Sequence, residues 1–292
     1  MFADLHLHTF FSDGTYSPEE VAELAQKNGL RAVALTDHDT VEGCARMGAA
    51  CHVGGVEFIP ATELTAEVRG HEIHFLGYFV DPQNEKLLRE LAKFQEVRQR
   101  RINEMSAKLN QLGVPLKAET IFALANCRAP GRPHVARALV QEGFCATLDE
   151  AFERFLRKGK PAWVPKFKIS ALEAIDLIHH AGGLAVMAHP GLNRTDEIIP
   201  EMVAAAMDGL ECFHTKHSTS MTEHYLQIAE AHNLLVTGGS DCHGLSKGKP
   251  LIGTVRIPYR LVELMHEKVL QRSVDAGFLL ARSASPSNDA VE

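Results

Sequence analysis

Short apolar runs that stop abruptly at a histidine, aspartate or glutamate recur along this chain, and they constrain its fold more than any other feature. "ADLHLHT", "RAVALTD", "VEFIPATELT", "HEIHFLGYFV", "GLAVMAHP", "GLECFH" and "LLVTGGSD" have the length and composition of buried strands. Helical patterns lie between several of them. In "SPEEVAELAQKNG", Ser17 is placed to cap, Pro18 takes the first helical position and Gly29 closes the helix; "SALEAIDLIHHAGG" repeats that grammar. Strands alternating with helices predict parallel β/α units, and six or more of them favour a closed barrel over an open sheet.

The rhythm stops between Asp81 and Ser170, where "NEKLLRELAKFQEVRQRRINEMSAKLNQLG" predicts one long helix and shorter helical stretches follow. The expected organisation is a barrel in two parts, 1–98 and 166–285, with a helical basic insertion at 99–165 acting as a substrate cap and a frayed tail at 286–292. Charge follows the same division. From Arg98 to Lys168 there are 14 Lys and Arg against 6 Asp and Glu, whereas the remainder has 16 against 31, so a formal net charge of -7 hides a basic segment. The six cysteines form no C-x-x-C pair and are expected to be reduced, in a cytoplasmic chain with no membrane span.

His6 and His8 alternate on one strand and so face the same way. Asp13 follows within loop reach, and further strands end near His38, Glu63, His74, His189, Asp241 and His243. The carboxyl ends of barrel strands converge on one face, so these six imidazoles and three carboxylates are expected in one pocket. Nine N and O donors exceed what a single ion uses, which predicts two or three divalent ions; Mn²⁺, Zn²⁺ and Fe²⁺ all fit the set, and Mn²⁺ is the expected choice. Such a pocket is net cationic and suits hydrolysis of a phosphate ester by a metal-bridging hydroxide.

The ordered motifs "DLHLHTFFSDG", "TDHD", "GVEFIPATEL", "HEIHFLG", "AHP" and "GSDCHG", spanning residues 4 to 244, resemble the signature of the PHP (polymerase and histidinol phosphatase) family. The resemblance implies a distorted seven-stranded β/α barrel with a trinuclear metal centre held by the same nine residues. "GRPHVARALVQEGFCATLDEAFERFLRKGKPAWVP" resembles the insert of a bacterial subgroup of that family typified by 3',5'-nucleotide bisphosphate phosphatases and 5'-3' exoribonucleases. That implies removal of the 3'-phosphate from a nucleoside 3',5'-bisphosphate, such as adenosine 3',5'-bisphosphate, to leave the 5'-monophosphate. The alternatives are a 5' to 3' exonuclease on short single-stranded RNA or DNA, hydrolysis of an amide or ring, and a non-catalytic module that binds metal or a partner. A small nucleotide is the expected partner, with no membrane and no obligate protein.

From the insert, "RQRR" (Arg98, Gln99, Arg100, Arg101) and the loop residues Arg132, His134 and Arg137 are expected to hold a second phosphate or a nucleotide backbone. His217 is a candidate general acid, or with Lys216 a phosphate contact. Asp37, Asp39 and Asp4 are candidates to orient the imidazoles, and Cys242 is expected to pack away from the site. Phe122, Phe144, Phe152, Phe155 and Trp163 are spaced for core packing.

Overall fold

In the computed structural model, which describes residues 1–193, 196–247 and 250–283, nine strands form one sheet. The expected tail at 286–292 lies outside the described residues. The strands are β1 (Phe2–Leu7), β2 (Leu30–Leu35), β3 (Glu57–Val68), β4 (His71–Tyr78), β5 (Ile169–Ser170), β6 (Leu184–Met187), β7 (Gly209–His214), β8 (Leu235–Gly239) and β9 (Ile257–Pro258). Eight follow the order β8-β7-β6-β4-β3-β2-β1-β9, and β5 pairs with β3. The count exceeds the seven expected, and β5 and β9 are two-residue strands too short to read from sequence. A parallel bridge between Leu7 and Cys242 brings the end of β1 against the chain leaving β8, so the sheet nearly closes on itself. Gly239 permits that approach: a Cβ there would lie 2.3 Å from the His6 nitrogen.

The helices are α1 (Pro18–Lys27), α2 (Cys44–Gly54), α3 (Glu85–Gln111), α4 (Ala118–Ala125), α5 (Arg132–Gln141), α6 (Leu148–Ala151), α7 (Ala171–His180), α8 (Pro190–Asn193), α9 (Ile199–Ala204), α10 (Thr219–Ala231) and α11 (Tyr259–Ser283). The predicted caps form at both helices singled out above: Ser17 and Glu20 close a reciprocal capping box at α1, as Ser170 and Glu173 do at α7. No helix among the described residues is long and apolar enough to cross a membrane.

One expectation fails in an informative way. Strands β1, β2 and β3 pair in parallel, as do β6, β7 and β8, but β4 is antiparallel to both β3 and β6. No helix separates β3 from β4. A two-residue turn, Arg69 and Gly70, both at positive φ, joins them as a hairpin, and a turn that short can only return the chain antiparallel. The reversal carries the first half of β4 to the rim where the parallel strands end, which is where His74 is needed.

Residues 102–164 build an apolar cluster of their own, with Ile102, Met105 and Leu109 of α3 packed against Val135 and Leu139 of α5 and with Phe155 and Leu156. Helix α3 passes through position 98/99 without a break, its earlier turns packing Leu87, Leu91 and Phe94 into the barrel-side cluster.

Candidate metal centre

The nine donors come together. Their ligand atoms form four overlapping sets, each within 4.8 Å: His8, Asp13, His38 and His243; His6, His8 and Asp241; His6, Glu63 and His189; and His38, Glu63 and His74. Glu63 is the hub. Its Oε1 lies 2.6 Å from His74 Nδ1 and 3.2 Å from His189 Nε2, while Oε2 lies 3.1 Å from His38 Nδ1, 3.3 Å from His8 Nε2 and 3.4 Å from His6 Nε2. Asp241 Oδ1 is within 3.5 Å of the His6, His8 and His243 rings, and Asp13 Oδ1 is 3.2 Å from His243 Nε2.

The backbone bends to present these groups. His189 and Asp241 both have positive φ (30° and 52°), a conformation that side-chain-bearing residues seldom adopt outside sites that require it. Electrostatics then fix the carboxylates as anions. Burial alone would raise the Glu63 pKa, yet the His38, His74 and His6 imidazoles outweigh it and hold the group well below the usual range. Asp13 and Asp241 are held down in the same way, chiefly by His243 against the effect of burial. Burial in turn pushes the His8 imidazole toward the neutral form in which it donates an electron pair.

This donor set fits divalent cations. His6 Nε2 and His8 Nε2 face each other at 3.1 Å, each also beside carboxylate oxygens, a density of lone pairs that protons alone satisfy poorly. Imidazole and carboxylate together, with no thiolate among the nine, suit Mn²⁺, Fe²⁺ or Zn²⁺.

Two further side chains of β7 border the site. Glu211, fully buried on β7, lies 2.9 Å from His6 Nδ1 and accepts the His189 backbone N–H at 2.7 Å, so it orients one ring and fixes the turn carrying another. His214 Nδ1 accepts the Lys216 backbone N–H, which leaves the ring proton on Nε2, 3.5 Å from Asp241 Oδ2. Strict alternation would set Glu211 and His214 on opposite faces of β7. A register shift between Glu211 and Phe213 turns both inward.

The aspartates expected to orient imidazoles do other work. Asp37 accepts from Thr9 N and Oγ1 and from Ser12 Oγ at 2.5–2.7 Å, pinning the loop that carries Asp13, and burial pushes its carboxyl up to about 7. Asp39 pairs with Arg98, and Asp4 accepts the backbone N–H groups of Ser240 and Gly253. His217 is corrected as a proton donor. Its Nδ1 lies 2.9 Å from the Cys212 carbonyl and its Nε2 accepts from Gly191 N, so both nitrogens are committed to the backbone; Lys216 is exposed.

The cations assigned to substrate divide sharply. Arg98 is buried against Asp39, Gln99 Nε2 donates to the Arg128 carbonyl, Arg100 is exposed, and Arg137 Nη2 donates to the Asp13 carbonyl at 2.6 Å. Arg101 Nε donates to the Val164 carbonyl, yet Arg101 and Arg132 both line a cleft of about 560 Å³ with Lys158, Trp163, Lys166 and Lys168. Lys166 Nζ joins that cleft to the cluster, 3.4 Å from His74 Nε2.

His134 is buried and does not line that cleft. Its Nδ1 accepts the Gly131 N–H at the start of α5, and burial, aided by Arg137, pushes the imidazole from 6.5 down to about 4. Because the folded value is the lower one, the unfolded chain takes up the proton first. Stability is therefore lost as pH falls from about 6.5 to about 4, on the order of 3 kcal/mol. His134→Gln, which keeps an acceptor for Gly131, is expected to lack this loss. The difference in urea-unfolding free energy between wild type and variant should shift by that amount between pH 7 and pH 4; a constant difference would show that His134 titrates alike in both states.

The barrel rim, its donors and the adjoining cationic cleft define a metal-dependent hydrolase of phosphate esters, and the comparisons with known proteins give the family. The PHP domain matches residues 4–157, and the chain belongs to that family: it is a metal-dependent phosphoesterase of the PHP type. It is 33% identical over 258 residues to a 3',5'-nucleoside bisphosphate phosphatase of Chromobacterium violaceum, covering 86% of this chain and 90% of that one. It is also 33% identical to the 5'-3' exoribonuclease Rnm of Salmonella typhimurium, covering 82% and 84%. Among solved structures, a candidate metal-dependent phosphoesterase from Bifidobacterium adolescentis superposes with a TM-score of 0.84 at 35% identity, covering 90% of this chain and 94% of that one.

Proposed function

We propose that the chain removes the 3'-phosphate of nucleoside 3',5'-bisphosphates, with residues 99–165 serving as the cap that holds the rest of the nucleotide. The observation that carries this reading is the junction of two unlike surfaces at His74: a nine-donor cluster on one side and a cationic cleft sized for a nucleotide on the other. The relative named for this activity, similar over most of both chains, supports it.

In the proposed site, His6, His8, Asp13, His38, Glu63, His74, His189, Asp241 and His243 hold up to three divalent ions, with manganese the first choice. When bound, such ions lower the pKa of water and neutralise charge on phosphoryl oxygens. The chain's own groups supply the rest. Glu211 keeps the His6 ring and the His189 turn in place, Asp37 holds the Asp13 loop, and His214 presents an Nε2 proton beside Asp241. Lys166, beside His74, adds a cation where phosphate would enter.

The test is phosphate release from adenosine 3',5'-bisphosphate measured beside mononucleotide release from a short 5'-phosphorylated RNA, both with Mn²⁺. The expected kcat/KM favours the bisphosphate by at least about tenfold, equivalent to ~1.4 kcal/mol of transition-state binding. Faster stepwise trimming of RNA would instead make the chain an exonuclease.

A further inference from the structure

The cleft beside His74 contains an aromatic group that the apolar cluster of the helical segment does not claim. Phe122, Phe144, Phe152 and Phe155 pack into that cluster, as their spacing predicts. Trp163 corrects the expectation: it is half-buried and lines the cleft, its backbone carbonyl held by Lys108 Nζ at 2.9 Å and its N–H donated to the Lys160 carbonyl. A half-buried tryptophan at the wall of an open cleft offers an aromatic face for stacking.

The cations of the cleft are of two kinds. Arg101 is engaged by the Val164 carbonyl, and Lys166 and Lys168 by Glu72 and Glu67, at 3.5 Å and 2.6 Å. The side chains of half-buried Arg132 and exposed Lys158 have no hydrogen-bond or ion-pair partner among the described residues; burial lowers the Arg132 pKa, and the Glu72 and Asp13 charges offset this only in part. A half-buried guanidinium with no carboxylate within hydrogen-bond reach is costly to keep, and a phosphate satisfies its planar fork.

We infer that Arg132, Lys158 and Trp163 form the subsite for the part of the nucleotide that is not hydrolysed, Trp163 stacking on the base and the two cations binding the retained phosphate. This rests on the nucleotide reading above and deepens it: specificity for a nucleotide over a simple phosphate ester resides in the helical segment, while the barrel rim recognises only the phosphoryl group that leaves. A bare phosphate fills the charge requirement but leaves the indole face uncovered, and an uncharged nucleoside does the reverse.

Trp163 is the only tryptophan in the chain, so its fluorescence reports on this subsite alone. The metal-loaded full-length protein is titrated with adenosine 5'-monophosphate, which keeps the base and the retained phosphate, and separately with inorganic phosphate. Saturable quenching by the mononucleotide and little by inorganic phosphate is expected. Arg132→Ala, which keeps the fluorophore, is expected to weaken mononucleotide binding by about tenfold while weakening adenosine by less than about twofold. Trp163→Leu is expected to raise KM for adenosine 3',5'-bisphosphate by about tenfold with a much smaller change in kcat.

Absence of quenching from a protein that does hydrolyse the bisphosphate would overturn the subsite and leave the proposed activity standing. Quenching by the mononucleotide without hydrolysis of the bisphosphate would support the subsite and overturn the activity. Equal binding of mononucleotide to Arg132→Ala and wild type would remove the retained phosphate from this cleft.

Discussion

Replacing Glu63 with glutamine is expected to cut kcat/KM in the presence of Mn²⁺ by more than about 100-fold, the upper end of what loss of a mere supporting partner of a ligand costs in metal affinity or activity. Five imidazole nitrogens lie within 3.4 Å of its two oxygens, and Glu63 belongs to two of the four donor sets. Glutamine preserves the shape but removes the charge and replaces one acceptor oxygen with a donor amide, so it cannot serve two sets at once. Metal content of the purified variant, measured beside its activity, should fall with it. A cooperative thermal unfolding transition separates this outcome from simple misfolding. Activity and metal content within tenfold of wild type would mean that Glu63 is a buried acceptor for histidines and no more.

How far the sequence revealed this site depends on which physical constraint each residue obeys. His6 and His8 were readable because alternation on a strand fixes their common face, and the strand-end positions of His38, His189, Asp241 and His243 carried the same information. Glu211 and His214 were not, because a bulge in β7 breaks alternation and nothing in "GLECFH" marks where. The direction of β4 depended on a two-residue turn that its apolar pattern does not encode. Charge misled in both directions in the helical segment. "RQRR" reads as a solvated or substrate-facing run, but Arg98 and Arg101 fall on the same helical stripe as Leu91, Phe94, Ile102 and Met105, all buried in α3. That periodicity was the available signal that Arg98 turns inward. Trp163 is the converse case, an apolar residue after a Gly-Lys-Pro-Ala turn whose exposure to a cleft depends on how the whole segment folds back.

The inward turn of Arg98 gives the second large effect. Both Nε and Nη2 of Arg98 lie 2.6 Å from Asp39 Oδ2, with neither side chain more than 8 % exposed, and Gln95 Nε2 donates to the Asp39 carbonyl. Asp39 itself sits at φ 52°, next to His38, and donates its own backbone N–H to the Glu63 carbonyl. The pair therefore fastens α3 to the loop beside the donor cluster. Arg98→Met removes one partner and leaves a carboxylate buried, which costs about 3–5 kcal/mol of stability; Arg132→Met, removing an unpaired cation, is expected to cost less than about 1 kcal/mol. Urea unfolding of the two variants measures the contrast. Adding Asp39→Asn to Arg98→Met should recover part of the loss, because the buried group is then neutral and asparagine tolerates the left-handed backbone. Nucleotide binding should show the opposite order, Arg132→Met being the weaker binder. If Arg98→Met instead unfolds like wild type and binds nucleotide poorly, the guanidinium leaves Asp39 for substrate, and the helical segment would be held to the barrel by its other contacts, among them the Arg137 hydrogen bond to the Asp13 carbonyl.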